Sequence, residues 1–175
     1  MMPRVWLLIA GLCLSAALAN AQAPTLDSAS QSGIARLLER FDATASAAGR
    51  LDGAARAALF TDDAVVINAF STYGVGRAAV DSFWRALYSS STFDSAKVER
   101  LDRQVRLLGP GLALVDHFER LTGQRTPKSH RELPPRLTRI TLILRHEPSG
   151  EWRIVYYRAG DQRSLPAQTP PASSP

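Results

Sequence analysis

Apolar residues recur at Ile34, Leu37, Leu38, Phe41 and Ala45, the i, i+3, i+4, i+7, i+11 spacing of one buried helix face. Ser32 is placed to cap this helix and Gly49 to end it. A short helix over 52–60 follows, and Thr61-Asp62-Asp63 reads as a turn. The run 64–68 is a short apolar strand, 69–76 a glycine-bearing loop, and 77–89 a third helix with Val80, Phe83, Trp84 and Leu87 on one face. The period then changes. Residues 96–108 alternate, Gly109-Pro110-Gly111 turns, and strands are expected over 112–121, 137–146 and 151–159. A long polar, basic connection spans 122–136. Helices first and antiparallel hairpins afterwards make an α+β pattern, with helices on one face of a curved sheet.

Composition refines the ends. Arg4 precedes an apolar run over 5–18 that is short for a bilayer, and Ala19-Asn20-Ala21 has the small residues a signal peptidase needs. Residues 1–21 therefore read as a signal peptide of a bacterial periplasmic or secreted protein, with no membrane attachment after cleavage. Cleavage would remove Cys13, the single cysteine, and with it disulfide and thiolate chemistry. Residues 22–31 read as a disordered linker and 162–175 as a disordered proline-rich tail. Of the 175 residues, 32–161 remain as one domain, long enough to bury a core. The net charge of +5 is interleaved with acids, as in Lys97-Val98-Glu99-Arg100-Leu101-Asp102-Arg103, which argues against nucleic acid as a partner.

Two short motifs carry a family likeness. Thr61-Asp62-Asp63, the strand Ala64-Val65-Val66-Ile67-Asn68 and Gly76-Arg77 at a helix start resemble the first half of a SnoaL-like domain. Gly150-Glu151-Trp152-Arg153-Ile154-Val155-Tyr156-Tyr157-Arg158 resembles its closing strand. The parent superfamily is nuclear transport factor 2-like. The resemblance implies a cone: a curved, mostly antiparallel sheet wrapped around N-terminal helices, with an internal cavity and commonly a homodimer. Members range from ketosteroid isomerases, polyketide cyclases and dehydratases to proteins without known activity, so fold alone does not name a reaction.

Ketosteroid isomerases use a carboxylate at the end of the first strand as base, and the matching position here is Asn68, whose amide takes no proton. The strand expected to carry a neutral acid, Thr138-Arg139-Ile140-Thr141-Leu142-Ile143-Leu144, has no carboxylate. The best titratable pair is His117 and Glu119, two apart on one strand and so on one face. They form an acid and base if that face lines the cavity, and an ordinary ion-paired surface if it does not. Asn68, Tyr73, Trp84, Arg139, Tyr156 and Arg158 are the candidate ligand contacts. Arg158 is suited to a carboxylate, or alternatively to a surface pair with Asp161. The histidines at 117, 130 and 146 lack zinc-ligand spacing, and no nucleotide fingerprint occurs, so no cofactor or metal is expected. The sequence thus points to an exported, homodimeric cavity protein for a small apolar or carboxylated molecule. The alternatives are a cyclase, dehydratase or isomerase using His117 and Glu119, and an envelope interaction module using the basic loop 122–136.

Overall fold

The computed structural model describes residues 27–46, 51–70 and 72–162. The signal segment, Cys13, Gly49 and positions 163–175 lie outside the described residues. Helix α1 (Ser28–Ser46) starts earlier than the spacing predicted, so residues 28–31 are helical rather than linker. The cap is Asp27, whose carboxylate accepts the Ser30 N–H at 2.7 Å. That backbone bond holds the Asp27 carboxyl below its usual range. Ser32 lies inside the first turns, and its hydroxyl bonds back to the Ser28 carbonyl at 2.9 Å. The predicted stripe is the buried face: Ile34, Leu37, Leu38, Phe41 and Ala45 are all in the core.

Helix α2 (Gly53–Ala57) is capped by Asp52, which accepts from Ala55 N at 2.9 Å. It is shorter than expected because the chain is already extended at Phe60. Strand β1 (Phe60–Ile67) therefore contains Thr61-Asp62-Asp63, which do not form a turn. They sit at an irregularity where the register with the neighbouring strand slips between Phe60 and Val65. The two exposed acids there meet cations: Arg77 reaches Asp62 at 3.5 Å and Arg145 reaches Asp63 at 2.9 Å. Arg77 also donates to the carbonyls of Ala57 and Phe60, tying α2, β1 and the next helix together. The expected loop holds a short strand β2 (Tyr73–Val75) and ends at Gly76, whose φ of +82° suits glycine. Helix α3 (Arg77–Tyr88) follows.

Strands β3 (Lys97–Gly109), β4 (Leu112–Thr122), β5 (Arg136–His146) and β6 (Trp152–Asp161) complete a six-stranded, curved and unclosed sheet of order β2-β1-β6-β5-β4-β3. Every pair is antiparallel except β1 with β6. The loop between β4 and β5 is pinned by a backbone antiparallel β-bridge between Arg125 and Glu132 and by Leu133 N donating to the Gln124 carbonyl at 2.7 Å. One sheet face packs on the helices through Val115, Ile140, Leu142, Leu144 and Ile154, and each such side chain contributes about 1.5–3 kcal/mol by burial. No helix among the described residues is long and apolar enough to cross a membrane.

Register shifts re-aim two sets of side chains. In β3 the pairing slips between Arg100 and Asp102, so the helix-facing set changes parity, from Val98 and Arg100 to Arg103, Val105 and Leu107. In β6 Tyr156 faces Ile143 while Ile154 faces Leu144, which moves the inward set from Trp152 and Ile154 to Tyr157 and Ala159.

Candidate functional site

Between α2, α3 and the concave side of β4–β6 lies a cavity of about 60 Å³, with Trp84, Leu87 and Tyr88 from α3 on one wall. Glu119, Thr138 and Tyr157 line the sheet side, while Arg56, Asn68 and Arg136 stand around the rest. A second recess of about 280 Å³ adjoins it, sharing Arg56, Val98 and Glu119, and opens between α1 and β3. Trp84 anchors an aromatic cluster, with ring centroids 5.0 Å from Tyr157 and 5.4 Å from Tyr88. Its indole Nε1 is buried without a hydrogen-bond partner among the described residues, as are Thr138 Oγ1 and Arg136 Nε of two other lining residues. Burial pushes the Tyr157 hydroxyl well above its ordinary range, and it pushes Tyr88 upward against the opposing pull of the Arg56 charge. Both phenols are therefore neutral donors at physiological pH.

A buried polar chain stands beside the cavity. His117 Nε2 is 3.1 Å from Glu119 Oε2, and its Nδ1 faces Arg103, 3.1 Å from Nε and 2.8 Å from Nη2. Guanidinium only donates, so Nδ1 accepts and Nε2 carries the hydrogen, which it gives to Glu119. Arg103 also binds both carboxylate oxygens of Asp42 on α1, and Arg100 reaches Asp42 at 2.8 Å. The chain Arg100–Asp42–Arg103–His117–Glu119 thus fixes one oxygen of Glu119 at the boundary of the two recesses. The edge of the His117 ring rests on Phe41, with centroids 5.8 Å apart.

The predicted site residues separate into two groups. Asn68, Trp84 and Glu119 line the inner cavity, and His117 with Glu119 lines the second recess. His117 is 1% exposed with both nitrogens engaged, so it orients Glu119 and has no free nitrogen for an acid–base step. Asn68 holds its own loop, accepting from Phe70 N at 2.8 Å and Thr72 N at 2.9 Å. The other four stand elsewhere. Tyr73 is 64% exposed on the edge strand β2. Arg139 alternates to the outer sheet face and pairs with Asp116 at 2.8 Å. Tyr156 and Arg158 share a face as expected, but it is the outer one, because the β6 irregularity hands the inner position to Tyr157. Asp161 pairs with Arg136 rather than Arg158.

Arg56 is the buried cavity-lining residue that sequence reasoning missed. It is 3% exposed, its guanidinium stacks 3.6 Å from the Phe41 ring centroid, and it donates to the Tyr88 hydroxyl from Nε at 3.1 Å and Nη2 at 2.7 Å. A third bond runs to the Phe41 carbonyl at 3.1 Å. In sequence it is one arginine in a short helix. Its only signal was a charge amid alanines, Gly53-Ala54-Ala55-Arg56-Ala57, on a helix that packs closely on α3. Among the described residues, no group of three or more His, Cys, Asp or Glu side chains is arranged to hold a metal ion.

The sequence of residues 37–160 matches a known family, described as a SnoaL-like domain. The chain belongs to the SnoaL-like family. No curated protein matches this SnoaL-like domain in sequence. Solved structures share its fold. A nuclear transport factor 2-like protein of unknown function from Pseudomonas putida KT2440 is 21% identical, with a TM-score of 0.64 over 83% of this chain and 95% of that one. A ketosteroid isomerase-like protein from Erwinia carotovora atroseptica is 18% identical, with a TM-score of 0.59 over 77% and 94%. A hexachlorocyclohexane dehydrochlorinase is 9% identical, with a TM-score of 0.65 over 82% and 95%.

Proposed function

We propose that this SnoaL-like domain binds a small, largely apolar molecule in the cavity beneath α3. The observation that carries the reading is the pair of buried donors without partners among the described residues, Trp84 Nε1 and Thr138 Oγ1, on a lining that mixes apolar side chains with Arg56, Asn68, Glu119 and Arg136. A buried polar group left unpaired costs about 1–3 kcal/mol, and a ligand acceptor recovers it. The volume sets the scale: a benzene ring occupies a cavity of about 150 Å³, so a short-chain molecule fits without rearrangement and a ring requires the cavity to widen. We further propose export through the 1–21 segment, and a homodimer through the outer sheet face. There Leu114, Ile143 and Tyr156 are adjacent and half-buried, beside Phe118.

The test is thermal denaturation with a panel of short-chain alcohols, ketones, amides and acids. A ligand of the folded state raises the midpoint by mass action. At least one compound stabilises the wild type and has no effect on Ala159→Leu, which fills the lining. A panel that leaves the wild type unmoved contradicts the reading.

Glu119 favours a second reading, catalysis. A carboxylate held through one oxygen by His117 leaves the other to take a substrate proton, with His117 and Arg103 as positioning residues. Glu119→Gln would then retain binding and lose turnover on a carbonyl substrate. An unchanged rate removes this reading.

A further inference from the structure

The charges around the cavity do not balance, and the imbalance names a ligand class. In the chain beside the cavity, Arg100 and Arg103 both pair with Asp42, and Glu119 accepts the hydrogen of His117, whose other nitrogen faces Arg103. Arg136 is matched by Asp161. Arg56 has no carboxylate within 4.0 Å among the described residues, and its partners, the Tyr88 hydroxyl and the Phe41 carbonyl, are neutral. A guanidinium removed from water with only neutral partners carries a desolvation cost that ring stacking offsets in part.

Resting on the cavity-binding reading above, we propose that the bound molecule is a short-chain monocarboxylate whose acid group is held by Arg56. The neighbouring groups fit that assignment. The Tyr88 oxygen accepts two N–H groups from Arg56, which occupies both lone pairs and leaves its own hydrogen to donate. Trp84 Nε1 and Arg136 Nε are donors only, buried without partners among the described residues, on side chains that line the same cavity. Thr138 Oγ1 adds a hydroxyl that is also unpartnered. Carboxylate oxygens accept from all of these. Glu119 stands on the opposite side of the accounting, because its charge is already met by the His117 hydrogen and, behind it, by Arg103. The carbon chain then lies against Leu87, Phe93, Leu121 and Ala159.

The experiment measures dissociation constants of propionate, propionamide and propylammonium for the full chain by NMR titration. Propionate binds about tenfold or more tighter than its neutral isostere, the scale of one charge-assisted hydrogen bond, and propylammonium does not bind. Arg56→Met abolishes the preference for the acid. Thr138→Val weakens propionate several-fold, and Glu119→Gln, which removes a like charge from the same lining, tightens it. Near-UV circular dichroism establishes that each variant is folded. If Arg56→Met does not fold, the wild-type ranking and the Thr138→Val and Glu119→Gln arms decide. Amide binding equal to or tighter than the acid, or an acid preference that survives in folded Arg56→Met, overturns the proposal while leaving the cavity reading intact. Absence of binding by all three compounds overturns it too, and the broader stabilisation panel separately decides the cavity reading.

Discussion

Replacing Arg103 by methionine tests whether the polar chain beside the cavity is an integral part of the fold. The substitution keeps an apolar stem and removes the donors that join Asp42 to His117. Two losses follow. The bonds to Asp42 involve charge and contribute about 1.5–3 kcal/mol, and His117 Nδ1, on a ring 1% exposed, is left as a buried acceptor at a cost of about 1–3 kcal/mol. The first loss is discounted because the Asp42 side chain is 31% exposed and keeps Arg100. Moving the His117 hydrogen to Nδ1 gives no relief, since Nε2 would then face the Glu119 carboxylate as a second acceptor. The net expectation is a destabilisation of about 2–4 kcal/mol. Arg100→Met is the control. Its side chain is 52% exposed and touches the same Asp42 oxygen, so its loss costs less than about 1 kcal/mol. Urea unfolding followed by tryptophan fluorescence reads the difference. With a slope of about 1–3 kcal/mol/M, the difference of about 1–4 kcal/mol lowers the Arg103→Met midpoint by roughly 0.3–4 M relative to Arg100→Met. Two variants within about 0.5 kcal/mol of one another would refute the burial argument.

Other expectations follow from packing and titration. A Cβ on Gly53 would stand 2.5 Å from the Trp84 carbonyl oxygen, so Gly53→Ala forces α2 off α3 and destabilises by about 1–3 kcal/mol, read as a lower thermal midpoint. The Tyr157 hydroxyl is raised by burial, so the stability it confers is complete below about pH 10, the ordinary tyrosine value, and is lost as pH climbs from there through the folded value. Tyr157→Phe accordingly flattens the alkaline fall in stability, and its absence removes one late-titrating phenol from the absorbance at 295 nm.

The architecture was largely legible because its signals are local. The α1 stripe, the Val80–Trp84–Leu87 face of α3 and the four long strands all follow from apolar period, and they are where the periodicity placed them to within a few residues. What escaped was governed by strand irregularities and long-range partners. Alternation starting at Trp152 and Ile154 carries Tyr156 and Arg158 inward; a single slip at β6 reverses that and supplies Tyr157 instead. The same event in β3 lets Arg100 and Arg103, which strict alternation sets on opposite faces, both reach Asp42. Arg56 was hidden for another reason. Its burial depends on Phe41, Trp84 and Tyr88, brought to it from α1 and α3, and nothing adjacent in the chain marks a buried cation. Asp27 and the early start of α1 show a milder case, in which the cap lay in a stretch whose polar composition suggested no structure.

On the proposed reading, the space under α3 receives a ligand through donors that have no partner among the described residues. The indole N–H of Trp84 reports on it directly. In a ¹⁵N-labelled sample, with the resonance assigned by its loss in Trp84→Phe, titration with propionate is expected to shift the Trp84 indole signal saturably. The Trp152 indole, packed away from the cavity against Gly33 and His146, should stay in place. A Trp84 indole that does not respond, or that moves only in step with Trp152, would contradict the account.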